Sequence, residues 1–115
     1  MIKYIALILV LISFNNTSYA RQVIDATVVS VYTHDCCGRG PYTAVKVKLG
    51  TYSGASCGAA YDNYFAIETS HPNHDTFVSI ALTAMSTGKK VNVYGNRAGC
   101  IGPFNRADGI AINNE

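Results

Sequence analysis

Four cysteines and three histidines hold most of the reactive side chains in this 115-residue chain. Cys36 and Cys37 follow His34 and Asp35, setting a thiol beside an imidazole as a cysteine nucleophile requires. No orienting acid at a defined spacing and no oxyanion-forming motif accompanies them, so the segment does not read as an active centre. His71 and His74 form a His-x2-His pair that could join His34, Asp35 and the cysteines around a metal, but the paired Cys-x2-Cys spacing that marks a zinc site is missing. They read as loop histidines, with no metal and no cofactor implied. Gly38-Arg39-Gly40 suits a hairpin turn better than a phosphate cradle, and no Ser-centred elbow or catalytic carboxylate pair is present. The sequence points away from an enzyme.

The cysteines make better sense as staples. Lys3 precedes an apolar run over residues 4–14, and Ser18-Tyr19-Ala20 is a small-x-small cleavage site, so residues 1–20 read as a secretory signal peptide. The run is too short for a membrane anchor. All four cysteines belong to the exported part, residues 21–115, where disulfides persist. Four cysteines allow three pairings. A Cys57–Cys100 bridge would close a long loop and contribute on the order of 4 kcal/mol in the chain-entropy model, which favours it. It leaves Cys36 and Cys37 as a vicinal pair or as thiols. The rival framework joins one of them to Cys57 and the other to Cys100.

Nine Lys and Arg stand against seven Asp and Glu, and losing Lys3 with the leader leaves eight against seven. So even a balance excludes the clustered basic face that nucleic acid or an anionic membrane would call for. The expected product is a small secreted or periplasmic protein with one domain over residues 21–115 and no membrane insertion.

The exported part alternates like strands. Residues 23–33 are rich in β-branched side chains, with Ile24, Ala26, Val28 and Tyr32 expected on one face and Asp25 and Thr27 on the other. In residues 42–49, Val45, Val47 and Leu49 alternate with Lys46 and Lys48. Residues 61–68, 89–94 and 109–113 supply three more strands, and residues 74–88 a helix capped by Asn73 or Asp75 and stopped by Gly88. The fold class is mainly β with one α-helix. Three strands, a helix and two strands is the order of a five-stranded OB-fold Greek-key barrel with its helix between strands three and four. Ligands of such barrels commonly lie across strands two and three, which nominates Tyr42, Lys46, Lys48, Tyr61 and Tyr64. Tyrosine offers a flat face to a sugar ring and a hydroxyl to hydrogen-bond it. The two lysines could reach a carboxylate or phosphate.

The helix carries no charge after Asp75. Phe77, Ile80, Ala81 and Ala84 form an apolar stripe widened by Val78, Leu82 and Met85, while Thr76, Ser79, Thr83 and Ser86 occupy the other face. A solvated helix normally carries Lys and Glu outward, so this face is expected to meet something besides water.

Gly40-Pro-Tyr-Thr-Ala-Val-Lys-Val47, the helix through Ala84, and Ser86-Thr-Gly-Lys-Lys-Val-Asn-Val93 together resemble the B subunits of subtilase cytotoxin and typhoid toxin. Those subunits share a Pro-Tyr opening of strand two and a helix that ends in a Thr-Gly turn into strand four. The Gly99-Cys100 pair after strand four resembles small secreted bacterial proteins with the same Ser-x-Gly-Lys-x-Val signature. The resemblance implies a bacterial, non-catalytic virulence protein: a pentamer that binds host cell-surface glycans, often sialylated, and carries a separate catalytic A subunit. Its helices would line a pore with Ser79, Thr83 and Ser86. Two features depart from the pattern. The exported part, expected to begin Arg21-Gln22-Val23, has no counterpart of those subunits' N-terminal segment with Tyr and Ser, and Asn92 stands where the typhoid toxin subunit has arginine. A secreted or periplasmic OB-fold module that binds or inhibits another protein, without glycan binding, is the alternative.

Overall fold

The computed structural model describes residues 20–35, 40–95 and 99–113. Apart from Ala20, the expected leader lies outside this set, as do Cys36, Cys37 and the expected turn at Gly38 and Arg39. The β-branched run forms β1 (Gln22–Asp35), a strand long enough to need bending. Two register shifts bend it, one between Val28 and Ser30 opposite β2 (Pro41–Lys48), the other between Val23 and Ala26 opposite a strand at Lys90–Tyr94. At the second, Asp25 adopts φ 61° and its N–H donates to Asn92 Oδ1 at 3.0 Å. An inserted residue reverses side-chain parity. Val23, Ala26 and Val28 therefore point into the core, and Ile24, expected on the same face as Ala26 and Val28, is only half-buried.

After β2 the chain passes through Gly50 into β3 (Thr51–Ser53), which also pairs with β1. Gly50 has φ 87°, and a Cβ there would sit 2.7 Å from the Ile24 carbonyl oxygen and 2.9 Å from Val23 Cγ2. Only glycine meets both demands. β4 (Tyr64–Glu68) pairs with β2, and the strand expected from residue 61 begins three residues later because Ala59–Tyr61 is a 3-10 turn.

Helix α1 (His74–Thr87) follows β4 and buries Phe77, Ala81 and Ala84 against the sheet. Gly88 ends it in the left-handed region at φ 73°. Its start differs from expectation: Asn73 holds the cap position without a side-chain cap bond, and its Nδ2 donates instead to the Asp108 carbonyl at 3.3 Å. Asp75 lies 2.9 Å from His74 Nδ1. Leu82 and Met85, read as widening the apolar stripe, are 45% and 39% exposed.

The chain ends with β5 (Lys90–Tyr94), β6 (Cys100–Ile101), β7 (Phe104–Arg106) and β8 (Gly109–Asn113). The sheet runs β6-β7-β4-β2-β1-β5-β8, with only the β4–β7 pairing parallel. It is an eight-stranded mixed sheet, and it is not closed. Between β7 and β8 stand only two residues: Ala107 N–H donates to the Ala66 carbonyl of β4, and Asp108 N–H to the Tyr94 carbonyl of β5, both at 2.8 Å.

Two apolar clusters result. The larger joins Val23, Val45, Val47, Phe65, Ile67, Val91 and Val93 to the helix residues Phe77, Ala81 and Ala84. The smaller lies on the other face of β2 and β4 and contains Tyr42, Ala44, Ala66, Ile101 and Phe104, with Tyr32 and Tyr64 packed against it.

Candidate ligand-binding face

Strand alternation builds this second face. Val45 and Val47 point into the larger core, so Tyr42, Ala44, Lys46 and Lys48 point the opposite way. The register aligns His34, Tyr42 and Glu68 in one row, Tyr32, Ala44 and Ala66 in the next, and Ser30, Lys46 and Tyr64 in a third. Side chains directly opposite one another share a face. The alanines of the middle row leave room for a ring. Phe104 fills it, delivered by the β6–β7 hairpin, and is 7% exposed.

Three tyrosines surround that ring. Ring centroids separate Phe104 from Tyr61 by 5.2 Å, from Tyr64 by 5.5 Å and from Tyr42 by 5.6 Å. Tyr61 and Tyr64 meet edge to face at 5.2 Å, an arrangement the ring quadrupoles favour. Tyr42 is 1% exposed and serves as floor, whereas Tyr61 is 39% exposed and Tyr64 half-buried. Tyr32 completes the group. Desolvation raises its pKa above 10.0, and the Tyr42, Tyr64 and Tyr61 hydroxyls add to the shift. Burial, followed by the Asp35 carboxylate, raises that of Tyr42 as well. Both hydroxyls thus stay protonated at neutral pH, able to donate as well as accept.

Charge enters at the border. Lys46 Nζ lies 5.6 Å from the centre of the Tyr64 ring, a cation–π distance. Lys48 is exposed at the end of β2, opposite Thr27. Neither lysine has an ion-pair partner among the described residues. On the other side, Arg106 and Glu68 pair at 3.5 Å.

Of the residues nominated from sequence, Tyr42, Lys46, Tyr61 and Tyr64 therefore gather around Phe104, and Lys48 lies one step along the strand. Tyr32 and Phe104 were not nominated. Nor was Asn105, which is fully buried beneath the face. The Cys57–Cys100 disulfide is present, with Cα atoms 5.8 Å apart.

His34 stacks on Tyr42 with ring centroids 5.9 Å apart, whereas His71 and His74 are engaged elsewhere. His71 Nε2 lies 2.9 Å from Asp108 Oδ1, while its Nδ1 accepts the Asn73 N–H at 2.9 Å. His74 links Asp75 to Thr43, with Nε2 2.7 Å from Thr43 Oγ1. That line has the order of nucleophile, base and acid, but Thr43 is fully buried and no substrate can reach its hydroxyl. It straps the helix to β2. No group of three or more His, Cys, Asp or Glu suited to a metal occurs among the described residues.

On α1, Ser79, Thr83 and Ser86 are exposed. Thr83 donates its hydroxyl proton to the Ser79 carbonyl and Ser86 to the Leu82 carbonyl, each at 2.8 Å. With those hydroxyls turned back onto the backbone, the outer surface is neutral and presents Leu82 and Met85. A cleft of about 220 Å³ lies beside it, lined by Asn73, Thr76, Phe77, Ile80, Gly109 and Ile110, and it contains none of the tyrosines. No helix among the described residues is long and apolar enough to cross a membrane. Compared with protein-family models, curated proteins and solved structures, the chain matches none.

Proposed function

We propose that this chain is a secreted or periplasmic bacterial B subunit of the toxin type, without catalytic activity, which binds cell-surface glycans and carries a catalytic A subunit. The observation that carries the reading is the face formed by Tyr32, Tyr61, Tyr64 and Phe104, with Lys46 at its border. Sugar sites combine flat apolar surface with hydroxyl donors and acceptors, and tyrosine supplies both at low conformational cost. On this reading the sheet is a partly open Greek-key barrel of OB type, with β7 and β8 as two halves of its last strand. The supports are the two-residue join and its hydrogen bonds to β4 and β5. Subunits would assemble as a ring, most simply a pentamer, with the uncharged α1 surfaces turned toward the axis.

A glycan array probed with the exported protein tests the first half. Retention of wild type, lost on Tyr61→Ala and Lys46→Ala, is expected, and a wild type that retains nothing on the array overturns it. The alternative, a module that binds or inhibits another protein, is favoured by one observation, the exposed Leu82 and Met85. An array without hits and a monomeric native mass together would select it.

A further inference from the structure

We infer that Asn105 is a positioning residue for the aromatic face, acting through the loop between Cys57 and Tyr64. Its side chain is fully buried yet every bond it makes is to the backbone of that loop. Asn105 Oδ1 accepts the Cys57 N–H at 3.0 Å. Nδ2 donates to the Asp62 carbonyl at 3.0 Å and the Tyr64 carbonyl at 2.8 Å, with the Tyr61 carbonyl at 3.5 Å.

The loop's other polar tie is Asn63, whose carbonyl accepts the Val47 N–H at 3.0 Å and whose Nδ2 donates to the Val47 carbonyl at 2.7 Å. The loop's 3-10 turn, Ala59–Tyr61, contains no buried residue and has no side-chain cap. Apart from the ring contacts of Tyr61, such a turn gains little from packing, so polar anchors carry much of the work of fixing it. Asn105 reaches both ends of the segment at once. Cys57, at the first end, is additionally tied through its disulfide to Cys100 of β6, the strand paired with β7. Asn105 follows Phe104 directly in β7. One hairpin therefore supplies the central ring and, through the next residue, sets the walls that Tyr61 and Tyr64 make around it. A buried amide bound at both its polar atoms tolerates no loss without leaving loop groups unpaired.

The functional consequence rests on the glycan-binding reading, but the positioning itself does not. The test uses the oxidised protein and the variants Asn105→Ala and Asn105→Ser, the latter small enough to fit and able to keep one bond. Three readouts are taken: NOE contacts between the Tyr61 and Phe104 rings, amide exchange at Val45 and Val91, and retention on the array. Expected are weakened ring contacts, protected core amides and retention lowered roughly tenfold or more, the order of loss a site loosened by about an ångström shows. Unchanged ring contacts overturn the inference. Loss of core amide protection in both variants also overturns it, since Asn105 would then belong to the stability of the whole sheet. A wild type that binds no glycan, alongside variants that still lose the ring contacts, sinks the glycan reading and leaves the positioning role standing.

Discussion

Tyr61 meets Phe104 edge to face, with ring centroids 5.2 Å apart and planes at 78°. The two rings nevertheless do different work, because Phe104 is 7% exposed and Tyr61 39%. Truncating a buried aromatic leaves a cavity and costs about 3 to 5 kcal/mol. Truncating the exposed partner forfeits chiefly the ring pairing, about 0.5 to 1.5 kcal/mol. Urea unfolding should therefore show Phe104→Ala far less stable than Tyr61→Ala. On the array the order changes, since Tyr61→Ala should lose retention while remaining folded. Equal stability losses for the two would contradict the assignment of Phe104 as the buried central ring and Tyr61 as an exposed wall.

Tyr32, Tyr42 and Tyr52 all have pKa values raised above 10.0, in each case mainly by desolvation. Asp62 adds to the shift at Tyr52 and Arg21 opposes it. A raised value means that the folded state holds its protons after the unfolded chain has released them. Stability is then complete below pH 10.0 and declines as pH rises from there through the folded-state values. The urea midpoint should hold steady between about pH 7 and 9 and drop above about pH 10. Tyr32→Phe and Tyr42→Phe should each flatten that drop, and a drop of undiminished steepness in both would rule out these hydroxyls as its source.

Cys57 and Cys100 are 43 positions apart in sequence. Closing a loop of that length restricts the unfolded chain by roughly 4 kcal/mol in the chain-entropy model. Cys57→Ser combined with Cys100→Ser should lower unfolding free energy by about that amount, and more strongly affect the β6–β7 hairpin than β2 or β5. Hydrogen exchange by segment separates the two effects. Exchange that rises equally in every strand would show that the bridge has no local role.

What could be read from the residues themselves was set by how local the deciding interactions are. Residues 42–49 announce their two faces because Lys46 and Lys48 alternate with valines, and Gly88 marks its helix end through its own φ. The parity of β1 is different. Its reversal at Asp25 depends on a hydrogen bond to Asn92, 67 positions away, and no window of sequence contains both. Strands of two and three residues such as β6 and β7 are too short to show a period, and the disulfide and Asn105 hold them in place. Phe104 escapes nomination for the same reason. Tyr61, Tyr64 and Lys46 could be nominated because ligands of OB-fold barrels commonly lie across strands two and three; pairing puts Lys46 and Tyr64 on one face, and Tyr61 reaches it from the 3-10 turn. Tyr32 joins them only once the bulges in β1 are known. On α1, helical spacing admitted Leu82 and Met85 to the apolar stripe, yet the fully buried helix residues are Phe77, Ala81 and Ala84.

The outer surface of α1 yields the remaining prediction. Its hydroxyls at Thr83 and Ser86 are bonded to the helix backbone, and Leu82 and Met85 stand exposed with no charged side chain after Asp75 to accompany them. If copies of this helix surround a common axis, a charge placed on it is repeated at short range in every subunit and repels itself. Ser79→Glu and Thr83→Glu should each weaken assembly while far-UV circular dichroism stays that of the wild type. On a helix that faces only water, either change would alter stability by no more than about 0.5 kcal/mol and leave the mass unaffected. Sedimentation of both variants beside the wild type decides the matter, because a ring of five and a monomer differ about fivefold in mass. A wild type that sediments as a monomer at micromolar concentration removes the ring, and with it the main reason for placing an A subunit on this chain.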